Sequence, residues 1–316
     1  MQAAVISELG GAPTVQEWPE PAADDRQTVV ETGAAALNPV DLAIAAGVFY
    51  EGAPGVPYVP GREGIGRVVS SPAFAAGTRV YTLKTVTGSL AEQFVVDPEA
   101  TWELPPGDDD AVATALGIAG LAGWLAVEER ARLQAGERVL VLGATGTVGS
   151  VAVQAAKLLG ASRVVAAGRD SERLARSREW GADETVLLGE ASDMEQAFKE
   201  AFPGGGPDVI IDPLWGAPAM AAMAAAPPNA RVVNLGQSAG AEISLPSAVL
   251  RGKRLHLIGH TVFGSPVEEL ATAHRTMLEH VRAGRLHVDM EEYSLDQTPE
   301  AWDKQRGGPA HKLVIR

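Results

Sequence analysis

Short blocks of branched apolar residues alternate with helical stretches through the middle of the chain. Residues 138–143 are apolar after their first arginine, which is the pattern of a strand buried on both faces of a sheet. Small and apolar residues recur at helical spacing over 150–160, and a second strand is predicted at 163–167. Four more strands are predicted at 184–188, 208–212, 231–235 and 255–259, with helices at 171–180, 192–201 and 217–226. Six strands joined by crossover helices indicate an α/β fold with a doubly wound parallel sheet.

The first 105 residues have a different pattern, in which short β-rich runs alternate with proline and glycine. The predicted strands lie at 3–6, 15–18, 28–32, 66–70, 79–83 and 92–96. Regular short strands separated by turns are typical of a partly closed β-barrel. One helix interrupts them, beginning at Asn38-Pro39. The segment 311–316 reads as a terminal strand that returns to this first domain. We therefore predict one domain from residues 1–110 and 265–316, and a second from residues 111–264.

A glycine-spaced turn joins the strand at 138–143 to the helix at 150–160. Strand, glycine turn, helix and strand form the unit that binds a dinucleotide pyrophosphate. A phosphate approaches closely where a side chain is missing, and free N–H groups at the helix start point towards the anion. Ala144 occupies the position of the first glycine of the common G-x-G-x-x-G spacing. The predicted pyrophosphate-binding residues are Gly143, Thr145, Gly146, Thr147, Val148 and Gly149.

The end of the second strand selects between NAD(H) and NADP(H). An acidic residue there binds the ribose hydroxyls of NAD, whereas arginine suits a 2′-phosphate. Gly168 and Arg169 occupy this end, and Arg173 follows one helical turn later. Asp170 is the competing signal, and we interpret it as a residue of the helix N-terminus. Arg173 as a solvated helix charge is the open alternative, but together the residues favour NADP(H).

Composition limits the classes of protein that the chain can represent. It has 316 residues, 46% of them hydrophobic and 21% charged, with a formal net charge of −14. The negative charge argues against nucleic acid or an anionic membrane as a partner. The chain contains no cysteine, so disulfides, thiolate zinc sites and cysteine nucleophiles are excluded. With no secretory or membrane-spanning pattern, we expect a soluble cytoplasmic protein.

Several motifs resemble the medium-chain dehydrogenase/reductase superfamily, in its zinc-independent quinone oxidoreductase branch. They are Ala36-Leu-Asn-Pro-Val-Asp41, Val59-Pro-Gly-Arg-Glu-Gly-Ile-Gly66, the turn Gly143–Gly149 and the terminal Lys312-Leu-Val-Ile315. The resemblance implies a GroES-like catalytic domain, a Rossmann dinucleotide-binding domain and a cleft between them. It also implies a homodimer formed through the sheet edge near residues 255–259.

The resemblance also bears on zinc. Zinc-dependent relatives take their catalytic ligands from cysteine and histidine of the first domain. Here residues 1–255 contain neither, and Asn38 stands where the first catalytic cysteine would be. Glu63 alone cannot hold zinc. The six histidines, the first of which is His256, read as surface or packing residues. We therefore predict no metal site.

Without zinc, alcohol dehydrogenation is disfavoured, and we expect NADPH-dependent hydride transfer to a quinone or an α,β-unsaturated carbonyl. Asn38 and Tyr50 are the predicted catalytic residues. For Asn38 a helix-capping role is an equal alternative, and for Tyr50 an interface aromatic is the simpler interpretation. Arg62 and Glu63 are expected to form a structural pair.

Further cofactor contacts are expected where strands of the parallel sheet end, and at the end of the chain. They are Leu235, Gly236, Phe263 and Lys312, the last as a phosphate ligand unless it is a surface charge. Two other functions stay open: a 2-enoyl thioester reductase with a basic entry at Arg251, Lys253 and Arg254, or an NADPH-binding sensor or structural protein with little turnover.

Overall fold

The computed structural model describes residues 1–189 and 191–316. The chain divides into two compact units. The first comprises Met1–Ala119 and Ser265–Arg316, and the second comprises Gly120–Gly264. None of the described helices is long and apolar enough to cross a membrane.

The first unit contains nine strands and four complete helices among the described residues. The strands are β1 (Gln2–Val5), β2 (Thr14–Glu17), β3 (Thr28–Ala36), β4 (Gly64–Ser70), β5 (Arg79–Thr82), β6 (Gln93–Val96), β7 (Thr101–Glu103), β14 (Met290–Tyr293) and β15 (Lys312–Ile315). The helices are α1 (Pro39–Ala45), α2 (Asp110–Ala115), α9 (Val267–Arg282) and α10 (Thr298–Arg306).

Most of these strands form one curved sheet. Seven strands pair in the order β14-β15-β3-β4-β5-β7, with β6 added on β3, while β1 and β2 form a separate hairpin. Irregular register where β3 pairs with β4 marks bulges that bend the sheet. In the described part of the chain no pairing closes the sheet into a full barrel, so the predicted partly closed fold is confirmed.

The last fifty residues share the core of the first unit. Trp302 of α10 and Leu313 of β15 are fully buried with Ile6 and Leu37 in one apolar cluster. β15 pairs antiparallel with β3 and parallel with β14. The tail is therefore an integral part of the first unit, as its apolar pattern predicts.

The second unit is a parallel sheet flanked by helices. Its strands are β8 (Arg138–Leu142), β9 (Arg163–Gly168), β10 (Glu184–Leu187), β11 (Val209–Asp212), β12 (Arg231–Asn234) and β13 (His256–Gly259). The helices are α3 (Ile118–Leu125), which begins at the end of the first unit, α4 (Thr147–Leu158), α5 (Ser171–Ser177), α6 (Ala191–Ala201), α7 (Gly216–Ala225) and α8 (Ser247–Lys253). The strand order β10-β9-β8-β11-β12-β13 reverses direction at β8, so the predicted doubly wound sheet is confirmed.

The unit boundary differs from the predicted position between residues 110 and 111. It lies between Ala119 and Gly120 because α2 packs on β3 and β15 of the first unit and buries Leu116 at its end. The stretch 111–131 spans this boundary region. It contains α2, α3 and a π-helical turn over Ala126–Arg130.

Candidate functional site

The turn between β8 and α4 has the conformation that a nucleotide-binding turn requires. Gly143 has φ +60°, a left-handed value that favours glycine. The Ala144 amide donates to the Ala167 carbonyl at 2.9 Å, which ties the turn to β9. A Cβ atom at Gly149 would lie 2.3 Å from the Gly143 carbonyl oxygen, so glycine is needed for α4 to pack closely on the turn.

Gly146 differs from these glycines because no described contact requires it. Its φ of −92° and ψ of 167° suit any residue. A Cβ atom there would meet only the Gly143 carbonyl oxygen, at 3.7 Å. Gly146 is also the N-cap of α4, and no described side chain caps the helix. The first turn of α4 therefore presents amides to an open space, which is the arrangement that binds a phosphate.

The end of β9 carries the basic residues that were expected to select the cofactor. A Cβ atom at Gly168 would lie 2.9 Å from Thr145 Cγ2, so this glycine lets β9 approach the turn. The Arg169 side chain is exposed and makes no ion pair with any residue that the structure describes. Asp170 caps α5 by accepting from the Glu172 and Arg173 amides at 3.0 and 3.1 Å.

Arg173 is less available than Arg169. Its Nε lies 3.7 Å from Asp170 Oδ2, a distance that partly neutralises its charge. The interpretation of Asp170 as a helix-terminal residue agrees with this geometry, since its carboxylate is directed to backbone amides. Within the described ranges, the Arg169 guanidinium is therefore unpaired and the Arg173 guanidinium is partly paired, and both follow the end of β9.

The ends of β11 and β12 are held together by a buried aspartate. Asp212 Oδ1 accepts from the Leu214 and Trp215 amides at 2.9 and 2.8 Å, and burial raises its pKa. Asn234 Nδ2 donates to Asp212 Oδ2 at 3.1 Å and to the Gly236 carbonyl at 2.9 Å. These contacts fix the backbone at the two strand ends.

The predicted residues at these strand ends are positioned by the same contacts. The Leu235 amide donates to the Asp212 carbonyl at 3.0 Å. A Cβ atom at Gly236 would lie 2.5 Å from the Pro213 carbonyl oxygen, so the two strand ends lie in close contact. Phe263 lies half-buried in a short 3₁₀ turn, Val262–Gly264, after β13.

A buried polar network centres on Glu63 in the first unit. Glu63 Oε2 accepts hydrogen bonds from the Tyr81 hydroxyl and, at 2.7 Å, from the Ile118 amide at the start of α3. Its Oε1 accepts from Asn38 Nδ2 at 2.6 Å. A Cβ atom at Gly117 would lie 2.0 Å from Glu63 Oε2, so glycine is required there too. The sequence indicates only that Glu63 follows a P-G motif. It does not indicate that the carboxylate accepts hydrogen bonds from these three residues.

Asn38 uses both of its amide donors inside this network. Nδ2 also donates to the Ala36 carbonyl at 3.1 Å, and Oδ1 accepts from Lys312 Nζ at 2.5 Å. The side chain is 2% exposed. The structure therefore does not support Asn38 as a donor to a substrate carbonyl, since an amide nitrogen has only two hydrogens. Asn38 is the N-cap residue of α1, as its alternative interpretation states, and its backbone amide donates to Asp41 Oδ2 at 2.8 Å.

Lys312 was predicted as a phosphate ligand, and the structure corrects this because its ammonium is buried and bonded within the first unit. Besides Asn38, its ammonium donates to the Leu37 carbonyl at 2.9 Å and to Glu63 Oε1 at 3.3 Å. These three bonds use all three donors of the ammonium, and the residue is 4% exposed. Lys312 compensates the buried charge of Glu63.

The segment after α1 carries Tyr50 on the surface. Its side chain is 72% exposed and contacts Phe49, with the ring centroids 4.4 Å apart. The network around Glu63 does not include it. Arg62, which was expected to pair with Glu63, bonds Glu51 Oε2 through Nη2 at 2.7 Å.

Asp41 is a polar residue whose role the sequence indicated only in part. It is buried and accepts from the Asn38 amide through Oδ2 and from the Arg62 amide through Oδ1, each at 2.8 Å. Burial raises its pKa to about 6. Asp41 thus braces the two segments that the sequence motifs single out, and the A-x-N-P-x-D spacing is the signal for it.

Comparisons with known proteins cover both units. The alcohol dehydrogenase GroES-like domain family matches residues 24–106, and the zinc-binding dehydrogenase family matches residues 147–279. A quinone oxidoreductase of Pongo abelii is 28% identical over 326 aligned residues, covering 100% of this chain and 97% of that protein. The chain belongs to the medium-chain dehydrogenase/reductase superfamily, in its quinone oxidoreductase branch.

Solved structures agree with this assignment. A mycobacterial quinone oxidoreductase matches with a TM-score of 0.90 at 20% identity, over 100% of this chain and 99% of that one. The quinone oxidoreductase of Thermus thermophilus, also solved in complex with NADPH, matches with a TM-score of 0.80 at 27% identity over the full length of both chains. The predicted superfamily and its two-domain fold are confirmed.

The zinc ligands of this superfamily have no counterpart in the first 255 residues of the sequence. Neither cysteine nor histidine occurs there. His274 is fully buried, with Nε2 2.9 Å from the Ala113 carbonyl oxygen and Nδ1 accepting from Trp102 Nε1 at 3.3 Å. Across the described residues, no group of three or more potential ligands is placed to hold a metal ion.

Proposed function

We propose that this protein is an NADPH-dependent reductase that transfers hydride to a quinone or an α,β-unsaturated carbonyl without a metal. The observation that carries the proposal is the open position at Gly146. No described contact or backbone angle requires a glycine there, and an approaching phosphate does. Family membership supports an oxidoreductase, and the relatives named as quinone oxidoreductases support the acceptor class.

NADP(H) is the proposed cofactor. Arg169 is exposed and has no ion-pair partner in the described ranges, and Arg173 lies one helical turn away. A planar guanidinium pairs with phosphate oxygens, so both residues suit a 2′-phosphate. The relative from Thermus thermophilus, solved with NADPH, supports the same cofactor.

The residues of the second unit would hold the dinucleotide. The turn Gly143–Gly149 binds the pyrophosphate, while Asp212 and Asn234 keep the following strand ends rigid. Leu235, Gly236 and Phe263 are the proposed contacts at these strand ends. When bound, NADPH supplies the hydride, and the acceptor takes a proton from water or a hydroxyl group.

The first unit supplies polar groups in two proposed roles. Tyr50 has an exposed side chain and is the proposed donor of a proton or hydrogen bond. Asn38 is proposed as a positioning residue, because its amide connects Lys312 and Glu63 rather than facing solvent. The metal-free mechanism rests on the donor set, since residues 1–255 lack every thiolate and imidazole.

We also propose that the protein forms a homodimer through β13. This strand is an edge of the six-stranded sheet, paired with β12 on one side. Leu257 on this strand is 43% exposed in the isolated chain. An edge strand with an exposed apolar residue pairs readily with a second strand.

Steady-state kinetics with NADPH and NADH would test the function. The acceptors are 1,4-benzoquinone, 2-cyclohexen-1-one and a 2-enoyl-CoA thioester. We expect oxidation of NADPH by the quinone or the enone, at a kcat/KM well above that with NADH. Turnover confined to the thioester would instead identify an enoyl thioester reductase. Tight NADPH binding with no acceptor reduced would contradict the enzymatic proposal.

A further inference from the structure

The side chain of Thr145 lies against the end of β9. A Cβ atom at Gly168 would be 2.9 Å from Thr145 Cγ2 and 3.3 Å from Thr145 Oγ1, so both branches of the threonine reach this strand end. The sequence places Thr145 only in the nucleotide-binding turn, between Gly143 and Gly146. The structure adds that its side chain lies beside the residue that precedes Arg169.

Backbone contacts hold this arrangement in place. The Ala144 amide donates to the Ala167 carbonyl at 2.9 Å, which binds the turn to β9 one residue before Gly168. The Leu188 amide, just after β10, donates to the Gly168 carbonyl at 2.8 Å. The branched side chain of Thr145 also has few rotamers. The position of its hydroxyl group is therefore set before any ligand binds, which lowers the entropic cost of binding.

The Thr145 hydroxyl is available to a ligand. Thr145 is half-buried, and its hydroxyl makes no hydrogen bond with any residue that the structure describes. The oxygen is not enclosed either, in contrast to the hydroxyl oxygen of Ser177 in α5, which is buried without a partner. A threonine hydroxyl has one hydrogen to donate. A ligand at the end of β9 can accept it without breaking a described contact of the protein.

The charges at this strand end favour a phosphate. The end of the second strand is where a dinucleotide-binding sheet recognises the 2′ position of the adenosine ribose. Arg169 directly follows Gly168, and its exposed guanidinium has no ion-pair partner in the described ranges. The Asp170 carboxylate is directed to the Glu172 and Arg173 amides at 3.0 and 3.1 Å. A hydroxyl donor beside an unpaired cation suits a phosphate, whose oxygens accept several hydrogen bonds.

We propose that the Thr145 hydroxyl donates a hydrogen bond to the 2′-phosphate of NADPH and, with Arg169, determines the preference for NADPH over NADH. The inference rests on the proposed cofactor and adds a specificity-determining residue to it. The Thr145 backbone remains part of the pyrophosphate-binding turn. A hydrogen bond to a charged phosphate is stronger than one to the 2′-hydroxyl that NADH carries instead, and this difference favours NADPH.

Thr145→Val tests the hydrogen bond, because it removes the hydroxyl group and keeps the branched shape. Calorimetry gives the Kd for NADPH and for NADH, and thermal unfolding gives the Tm. We expect the Kd to rise about fivefold or more for NADPH and less than about twofold for NADH, with the Tm unchanged. Thr145→Ser keeps the hydroxyl group and should restore the affinity for NADPH. An unchanged NADPH Kd in Thr145→Val, or equal rises for the two dinucleotides, would overturn the proposal.

Thr185→Val is the matched control. Thr185 is also half-buried in the second unit, but it lies on β10 and its hydroxyl accepts from Arg178 Nη2 at 3.3 Å. This variant should bind both dinucleotides as the wild type does. A loss of NADPH affinity equal to that of Thr145→Val would show that removing a hydroxyl group acts through the fold, and it would overturn the assignment.

A pair of fragments isolates the 2′-phosphate. Adenosine 2′,5′-bisphosphate and adenosine 5′-monophosphate differ only in that group, and neither carries a nicotinamide. The wild type should prefer the bisphosphate, and Thr145→Val should reduce this preference about fivefold. Thr145→Val combined with Arg169→Ala should lose less binding free energy than the sum of the single losses, since both groups bind one phosphate. Strictly additive losses would contradict a shared phosphate.

The binding measurements separate failure of this assignment from failure of the proposed function. A protein that binds NADPH tightly and equally well in the wild type and Thr145→Val would overturn the assignment and leave the cofactor proposal standing. Thr145-dependent binding of NADPH in a protein that reduces no acceptor would support the assignment and contradict the reductase. A wild type that binds neither NADPH nor the bisphosphate would contradict both.

Discussion

At the level of single residues, the glycines of the nucleotide-binding turn differ in the space around them, and this difference separates packing glycines from a ligand-binding one. Gly149 and Gly168 are required by packing, whereas Gly146 is left open. The sequence presents all three as one motif and cannot separate them, because the difference depends on distances between non-neighbouring atoms. Only Gly146 points directly to a ligand.

Gly146→Ala should abolish tight NADPH binding without unfolding the protein. The added methyl group has room beside the Gly143 carbonyl, at 3.7 Å, but occupies the space through which a phosphate reaches the α4 amides. We expect at least a tenfold rise in Kd by calorimetry with an unchanged Tm. Gly252→Ala, at a glycine of α8 with no described atom within 4 Å, is the control. Equal Kd values for both variants would remove the basis of the cofactor site.

Arg169→Ala tests the selection of the 2′-phosphate. Its exposed guanidinium would contact a group that NADPH has and NADH lacks. The Kd for NADPH should rise by about tenfold or more, in line with about 1.5–3 kcal/mol for a charged hydrogen bond, while the Kd for NADH stays constant. Equal losses for the two dinucleotides would assign Arg169 a general electrostatic role.

His274 should make stability depend on pH. Burial lowers its pKa from 6.5 to about 4, so between these values the unfolded chain binds a proton that the folded chain does not. This contribution to stability is complete above pH 6.5 and decreases as the pH falls towards 4. Urea unfolding at pH 7 and pH 5 should show the wild type losing about 2 kcal/mol more than His274→Gln on acidification. Parallel losses in the two proteins would contradict this assignment.

At the scale of elements, the strands of the second unit could be predicted almost completely. A fully buried parallel strand such as β11 has an uninterrupted apolar block, which is a strong local signal. β7 and α8 were missed because β7 has three residues and α8 has no buried residue, so neither carries a clear pattern. The burial of Lys312 was unpredictable for another reason, since it depends on β15 pairing with a strand far away in the chain.

The edge strands allow a matched test of the homodimer. Leu257 on β13 and Leu187 on β10 occupy opposite edges of one sheet, with exposures of 43% and 58%. Leu257→Glu should convert the dimer to a monomer by light scattering, because like charges would meet across the paired edges. Leu187→Glu should leave the mass unchanged. A monomeric wild type would contradict the homodimer. Dissociation by Leu187→Glu instead would place the interface at β10.

At the scale of the whole molecule, composition decides which chemistry is available. The absence of cysteine from the whole chain, and of histidine before residue 256, removes the usual ligands of a catalytic zinc. NADPH oxidation should therefore be unchanged by EDTA or by added zinc, measured after prolonged dialysis. A loss of rate with the chelator that zinc restores would contradict the metal-free mechanism.

The first unit is assembled from two stretches of chain separated by the whole of the second. β3 lacks its partner β15 until the final strand has been synthesised. During synthesis, the dinucleotide-binding unit is complete before β15 exists, when Ala35 and Ala36 of β3 lack their pairing partners and Glu63 lacks the Lys312 ammonium. The first unit can therefore complete its sheet and its Glu63 network only after residues 312–315 have been added, whereas the dinucleotide-binding unit needs only residues 120–264.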